Sequence, residues 1–250
     1  MAVTIALVQQ ATNFVIANGA TTLTVTLSSV PSSGNALICA AGFLSSGGAN
    51  NLSSIAGGGG QAWQKAVISE DSGQFVTGEV WYSLNIGTGT QTVTLTMANA
   101  INSANSDMEY ANVAEWAGLL TTTPTDGTGS ESTAQSGGGG GLTVNSPNVT
   151  TGNANDLVVA VLSGSASAAS KGPNNQFVSM TGVNQSYNFD NLEPAYRIVT
   201  ATGTYTTSWD DTANQCFQMI SCIAAFKAAT ATAIVRSAPV PQRTMTGVGI

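Results

Sequence analysis

The chain has 250 residues, with 13 Asp and Glu against 6 Lys and Arg, and it contains no histidine. Charged residues make up only 8%, against about 25% in an ordinary soluble domain, and 42% of residues are hydrophobic, a composition that excludes a disordered chain. Without histidine there is no Ser-His-Asp or Cys-His site and no histidine-ligated metal. A net charge of −7 speaks against nucleic acid as a partner, because that needs a cationic footprint.

Residues 1–19 open as Met-Ala-Val-Thr-Ile-Ala-Leu-Val, and the apolar run stops at Gln9-Gln10. The first basic residue is Lys65, so the basic start of a secretory signal is missing, and no run reaches the ~18–20 apolar residues of a membrane span. This predicts an N-terminal strand or arm, synthesis in the cytoplasm and no membrane partner.

From residue 20 onward a period of two dominates. Leu23, Val25 and Leu27 alternate with threonines, as do Val93, Leu95 and Met97. Val80, Tyr82, Leu84 and Ile86 alternate with Glu79, Trp81, Ser83 and Asn85. Gly-, Ser- and Asn-rich turns separate these runs at Ser45–Asn51, Gly57–Gly60, Gly87–Gly89 and Gly137–Gly141. Threonine on an outer face suits a half-buried pleated strand, so the fold is predicted to be all-β. Ala36–Leu44, Leu157–Leu162 and Cys216–Phe226 are apolar on both faces and read as central strands, with a second sheet on one side and loops or a partner chain on the other.

The chain also repeats itself. Leu37–Ala40 resembles Leu157–Ala160 at an offset of 120, and Glu79–Leu84 resembles Glu193–Ile198 at an offset of 114. Val113–Trp116 resembles Ile223–Phe226 at an offset of 110. A tandem duplication follows: one β repeat over 20–118, a Gly/Ser/Thr-rich connector over 119–141 and a second repeat over 142–228. Each repeat offers enough short strands for an antiparallel β-sandwich or jelly roll. The pattern is compatible with two sandwiches or with one shared between the halves.

The segment 229–250 is different. It carries Arg236 and Arg243 and no acid, and Pro239 and Pro241 flank Val240, which interrupts any helix or ladder. It reads as an extended C-terminal arm able to reach about 70 Å. Its candidate partner-binding residues are Ile234, Val235, Arg236, Pro239, Val240, Pro241, Arg243 and Met245.

Chemistry-bearing residues are few. Cys39, Cys216 and Cys222 lie in apolar runs; an odd count gives no disulfide framework, and buried free thiols are expected. Glu79 and Glu193 occupy equivalent repeat positions, with Asp190, Asp210 and Asp211 nearby in sequence. They could serve a glycosidase, but equivalence favours a structural role such as a hydrogen bond at a strand start. Asp210, Asp211 and Asn214 could offer oxygens to Ca²⁺, although their spacing matches no calcium loop and a solvated turn is the better reading. No catalytic residue, metal site or cofactor is assigned. Trp81, opposite the apolar positions of its strand, and Trp63, after a glycine run, are candidate surface contacts for a protein or a sugar. Trp116 and Trp209 read as core residues.

Asn35–Phe43 and Asn155–Leu162, followed by Ala114–Gly118 and Ile223–Lys227 in their respective halves, look like β-rich proteins of tailed-phage particles. With the C-terminal arm added, the chain resembles capsid cement, or decoration, proteins. That resemblance implies a trimeric or other oligomeric β-sandwich on the outer surface of a virion, with the major capsid protein and copies of itself as partners, and no enzymatic activity. The alternative is a tail-fibre or glycan-binding adhesion module that uses Trp63 and Trp81 as stacking platforms.

Overall fold

In the computed structural model, residues 3–44, 50–84, 86–87, 89–105, 107–135, 142–165, 170–185, 190–211 and 218–230 are described. The chain folds as antiparallel β-sheets throughout, and the alternating Thr/Val segments form strands as their period of two requires. The first half contains β1 (Ala6–Val15), β2 (Thr22–Thr26), β3 (Ala36–Leu44), β4 (Leu52–Gly57), β5 (Gln64–Asp71), β6 (Val76–Ser83), β7 (Thr92–Met97) and β8 (Met108–Ala117). The second contains β9 (Thr125–Ser130), β10 (Leu142–Asn145), β11 (Val149–Thr151), β12 (Asp156–Ser165), β13 (Ser170–Lys171), β14 (Val178–Ser179), β15 (Val183–Gln185), β16 (Asp190–Val199), β17 (Gly203–Tyr205), β18 (Ser208–Asp211) and β19 (Gln218–Lys227).

In the first half a five-stranded sheet, ordered β1-β8-β3-β6-β5, is covered on one face by the sheet β2-β7-β4. Leu23, Val25 and Leu95 from the small sheet meet Leu37, Cys39, Phe43 and Val113 from the large one. The second half has a large sheet ordered β14-β16-β12-β19-β9, with β15 also on β16. It is covered by β10-β18-β13 and β11-β17, where Val144, Val149 and Trp209 meet Val158, Ala160 and Ile223.

The free faces of the two large sheets then pack on each other. Ile38, Ala40, Val80, Tyr82, Tyr110 and Trp116 form one core with Leu157, Val159, Val161, Cys222, Ala224 and Phe226. Among the described residues, four layers of sheet thus enclose three large cores, with a small fourth cluster of Leu44, Val76 and Ile220. This corrects the expectation for the two-faced strands: the second cover over Ala36–Leu44 and Leu157–Leu162 is the other half of the same chain. The described part of the third strand, β19, is covered in the same way, while Cys216 lies outside the described residues. The central strands of each large sheet are buried on both faces, which is why they lack a polar side.

The pairing also corrects one repeat offset. Ala36 pairs with Trp116 as Leu157 pairs with Phe226, and Leu37 pairs with Ser83 as Val158 pairs with Arg197. With the offsets of 114 and 110 kept, the pairing matches Ala36 to Leu157, an offset of 121 in place of 120. A one-residue slip moves every side chain to the opposite face, and a strand apolar on both faces carries no pattern that reveals the slip.

Polar contacts pin the inter-half interface. Ser163 Oγ donates to Thr77 O at 2.7 Å, the Tyr110 hydroxyl lies 3.3 Å from Ser163 Oγ, and Gly164 N donates to Tyr110 Oη at 3.2 Å. Ser69 Oγ donates to Ser221 O at 2.8 Å. Gly42 lies beside this cluster because a Cβ there would stand 2.4 Å from both Ser163 Oγ and a Tyr110 ring carbon.

Three segments read as peripheral are built into this frame or touch it. Residues 6–15 form an edge strand of the first large sheet, and β9, within the connector, is an edge strand of the second. After β19 the chain is held by Lys227 N to Pro124 O (2.7 Å), Ala228 N to Asn155 O (3.1 Å) and Ala229 N to Gly118 O (2.8 Å). Gly118 adopts φ +81°, and a Cβ there would meet Thr4 O at 2.4 Å. The arm residues Ile234, Val235, Arg236, Pro239, Val240, Pro241, Arg243 and Met245 lie outside the described residues.

Candidate functional site

Alternation along β6 sends Val80 and Tyr82 into the inter-half core and Glu79 and Trp81 into the core of the first sandwich. Trp81 is thus buried, at 7% exposure, which overturns its assignment as a surface platform: the face opposite its strand's apolar positions is covered by the small sheet. Its indole N–H donates to Glu79 Oε2. Lys65 Nζ lies 3.0 Å from the same oxygen and 4.9 Å from the Trp81 ring centroid. Glu79 Oε1 accepts the N–H of Leu52, the first residue of β4, at 2.9 Å. Burial nevertheless raises the Glu79 pKa above the usual carboxylate range, with Lys65, Leu52 and Trp81 opposing it.

Glu109, on the same side of the sheet, is 1% exposed, and its Oε2 has no hydrogen-bond partner among the described residues. Burial first, and the Glu79 charge second, push its pKa well above the ordinary value. Burial, with Glu109 and Glu79, also raises the Cys39 thiol, and Cys222 is likewise raised by burial. Nothing in the sequence singles out Glu109, one of two acids in β8 beside Glu115.

Trp63 is half-buried against the first sandwich core, with its indole N–H on Gly57 O at 3.1 Å. Glu193 is half-buried on β16, and because Leu192 faces the inter-half core, Glu193 points into the opposite layer. Glu79 and Glu193 are therefore separated by both large sheets and do not form a carboxylate pair. Asp210 accepts from Thr143 Oγ1 at 2.7 Å and from Asn174 Nδ2 at 3.1 Å, and these bonds, Thr143 first, lower its pKa. Asp190 and Asp211 are strand residues, and Asn214 lies outside the described residues.

The structure brings together a pair that sequence reasoning missed, Asp126 of β9 and Asp156 at the start of β12. Asp126 Oδ2 accepts Gly152 N at 2.6 Å and Asn153 N at 2.8 Å, and its Oδ1 accepts Asn153 Nδ2 at 2.8 Å. Asp156 is fully buried and meets no donor. Burial, then the hydrogen bond to Asp126 and the Asp126 charge, push its pKa up to about 7, with Lys227 opposing. Asp156 therefore holds its proton to a higher pH than an ordinary aspartate does. Burial alone would raise Asp126, but the bond from Asp156 and the N–H groups of Asn153 and Gly152 outweigh it and hold Asp126 low. The two acids are 30 residues apart in chain order, and each looks like an ordinary turn residue.

Asp126 also lines a groove of about 360 Å³ at the seam, between Lys65, Ala66 and Tyr82 of the first half and Thr125–Thr128 of β9. No family model matches this chain, and no curated protein matches it.

Proposed function

We propose that this chain is a structural virion protein that binds the outer face of a viral shell as a cement, or decoration, protein. Its partners in this reading are the major capsid protein and further copies of itself around local symmetry axes, and it carries no catalytic role. The observation that supports this most is where the C-terminal segment starts. The backbone bonds from Lys227 to Pro124, Ala228 to Asn155 and Ala229 to Gly118 root it at the junction of the two sandwiches. An arm on a rigid body of this kind transmits load from the body to whatever it binds, and an arm that orders on its partner covers a large area. Arg236 and Arg243 suit an acidic shell surface, each contributing modestly. A low-charge exterior also lets many copies crowd together with little mutual repulsion.

Deleting residues 231–250 tests this reading. The truncated protein keeps its melting temperature and no longer co-sediments with shell particles; co-sedimentation equal to that of the full chain rejects the reading.

A glycan-binding adhesion module is the second reading. It loses Trp81 as a platform, and the observation that favours it is the polar seam groove lined by Thr125, Asp126 and Thr128. Glycan-array binding that Thr128→Trp abolishes by filling the groove would support it; an array without binding removes it.

A further inference from the structure

The edges of the two large sheets are treated differently. Strand β5 carries Lys65, Glu70 and Asp71 and breaks register between Lys65 and Val67. Strand β9 carries Asp126, and its pairing breaks register at Ala225/Phe226. The edge beyond β16 is split between β14, with two residues, and β15, with three. Charge, bulges and short strands are the features that keep an edge from pairing with another chain.

Strand β1 is protected much less. It runs for ten residues, Ala6–Val15, without a charge or a proline. Its one irregularity, between Leu7 and Gln9, leaves Gln9–Val15 in unbroken register with β8. Among the described residues no strand pairs with its outer edge. Both faces of β1 are tied down. Gln9 Nε2 donates to Ser29 O at 3.1 Å, and Asn13 Nδ2 donates to Thr24 O at 2.7 Å. Gln10 Oε1 accepts Thr181 N at 2.9 Å and Asn112 Nδ2 at 3.1 Å. The side chains of β1 are thus anchored on both faces, and Asn13 Oδ1 also accepts Phe14 N at 2.9 Å, so docking at the edge costs the strand little ordering.

We propose that β1 is a self-association edge, at which two copies of this chain pair β1 to β1, antiparallel about a twofold axis. The two five-stranded sheets then become one continuous sheet. Each face stays continuous only in a register that keeps side-chain parity. Centring the twofold on Thr12 does so, with Gln10 opposite Phe14 and Ala11 opposite Asn13. Strand β1 carries no charge, so in this register no charged side chain is set against another across the axis. The inference does not depend on the shell reading, since it concerns the free chain in solution.

Light scattering on the full chain across a dilution series is the test, with twice the chain mass expected at the concentrated end. Thr12→Lys and Thr12→Glu each set like charges against themselves and are expected to be monomeric with an unchanged melting temperature; mixing the two variants restores the dimer. Thr12→Cys gives a disulfide-linked dimer on mild oxidation that the parent chain, treated identically, does not form. A monomer throughout, a trimer, or a dimer that survives both charge variants and yields no cross-link overturns the proposal.

Discussion

Burial raises Glu79, Glu109 and Asp156 more than their partners lower them, whereas hydrogen bonds win at Asp126 and Asp210. Asp156 titrates at about 7 in the folded chain against an ordinary 3.8. Below about pH 4 both states hold the proton and the stabilising contribution is complete; between about pH 4 and 7 the unfolded chain releases the proton first, and stability from this group is lost. Asp156→Asn, which carries no titrating proton, removes that loss. The difference in melting temperature between variant and parent is expected to move in the variant's favour as pH rises from 4 to 8, followed by scanning fluorimetry at each pH. A flat difference would mean that Asp156 is not the proton carrier. Glu79 depends in turn on Lys65, its ion-pair partner at 3.0 Å. Lys65→Ala leaves a buried carboxylate without its cation, and a loss of about 3 kcal/mol is expected in urea denaturation. Adding Glu79→Gln should recover part of it, as coupled residues do.

At the scale of the element, β3, β6 and β8 are buried on both faces, so small changes in volume act on two cores at once. Gly42→Ala puts a methyl 2.4 Å from Ser163 Oγ and the Tyr110 ring, with β3 fixed between β6 and β8. Overpacking of this kind costs about 1–3 kcal/mol, and the same substitution at Gly73, where the nearest atom stands at 3.3 Å on an exposed turn, is the control. Tyr110→Phe removes the hydroxyl that meets Ser163 and Gly164. A loss of about 1–2 kcal/mol is expected, because Gly164 N is left without its buried partner.

The whole molecule stands on the face that the two halves share. Residues 1–118 alone would expose Ile38, Val80, Tyr82, Tyr110 and Trp116, all in the inter-half core, an apolar patch larger than soluble monomers tolerate. Expressed alone, this half is expected to aggregate or to dimerise through that face. The full chain is expected to unfold in one calorimetric transition whose van't Hoff and calorimetric enthalpies agree. Two resolved transitions would show that the sandwiches are independent. Trp116→Ala, with a side chain that is 0% exposed, is expected to cost about 3–5 kcal/mol and to destabilise both halves together.

The sequence by itself determined the all-β class, the positions of most strands and the core roles of Trp116 and Trp209, because alternation with Thr and Val is a local signal read one strand at a time. It also showed that Ala36–Leu44 and Leu157–Leu162 are covered on both faces, since neither face is polar. What covers them is a tertiary fact: each large sheet is the other's second cover, and a two-faced apolar strand carries no mark of its partner. The same ambiguity hid the one-residue offset between β3 and β12 and made Trp81 look exposed, because period two separates the faces of β6 without saying whether either is wet. The Asp126–Asp156 pair and the edge position of β1 among the described strands were likewise decided only by topology, which brings residues distant in the chain together and selects which strands stand at an edge.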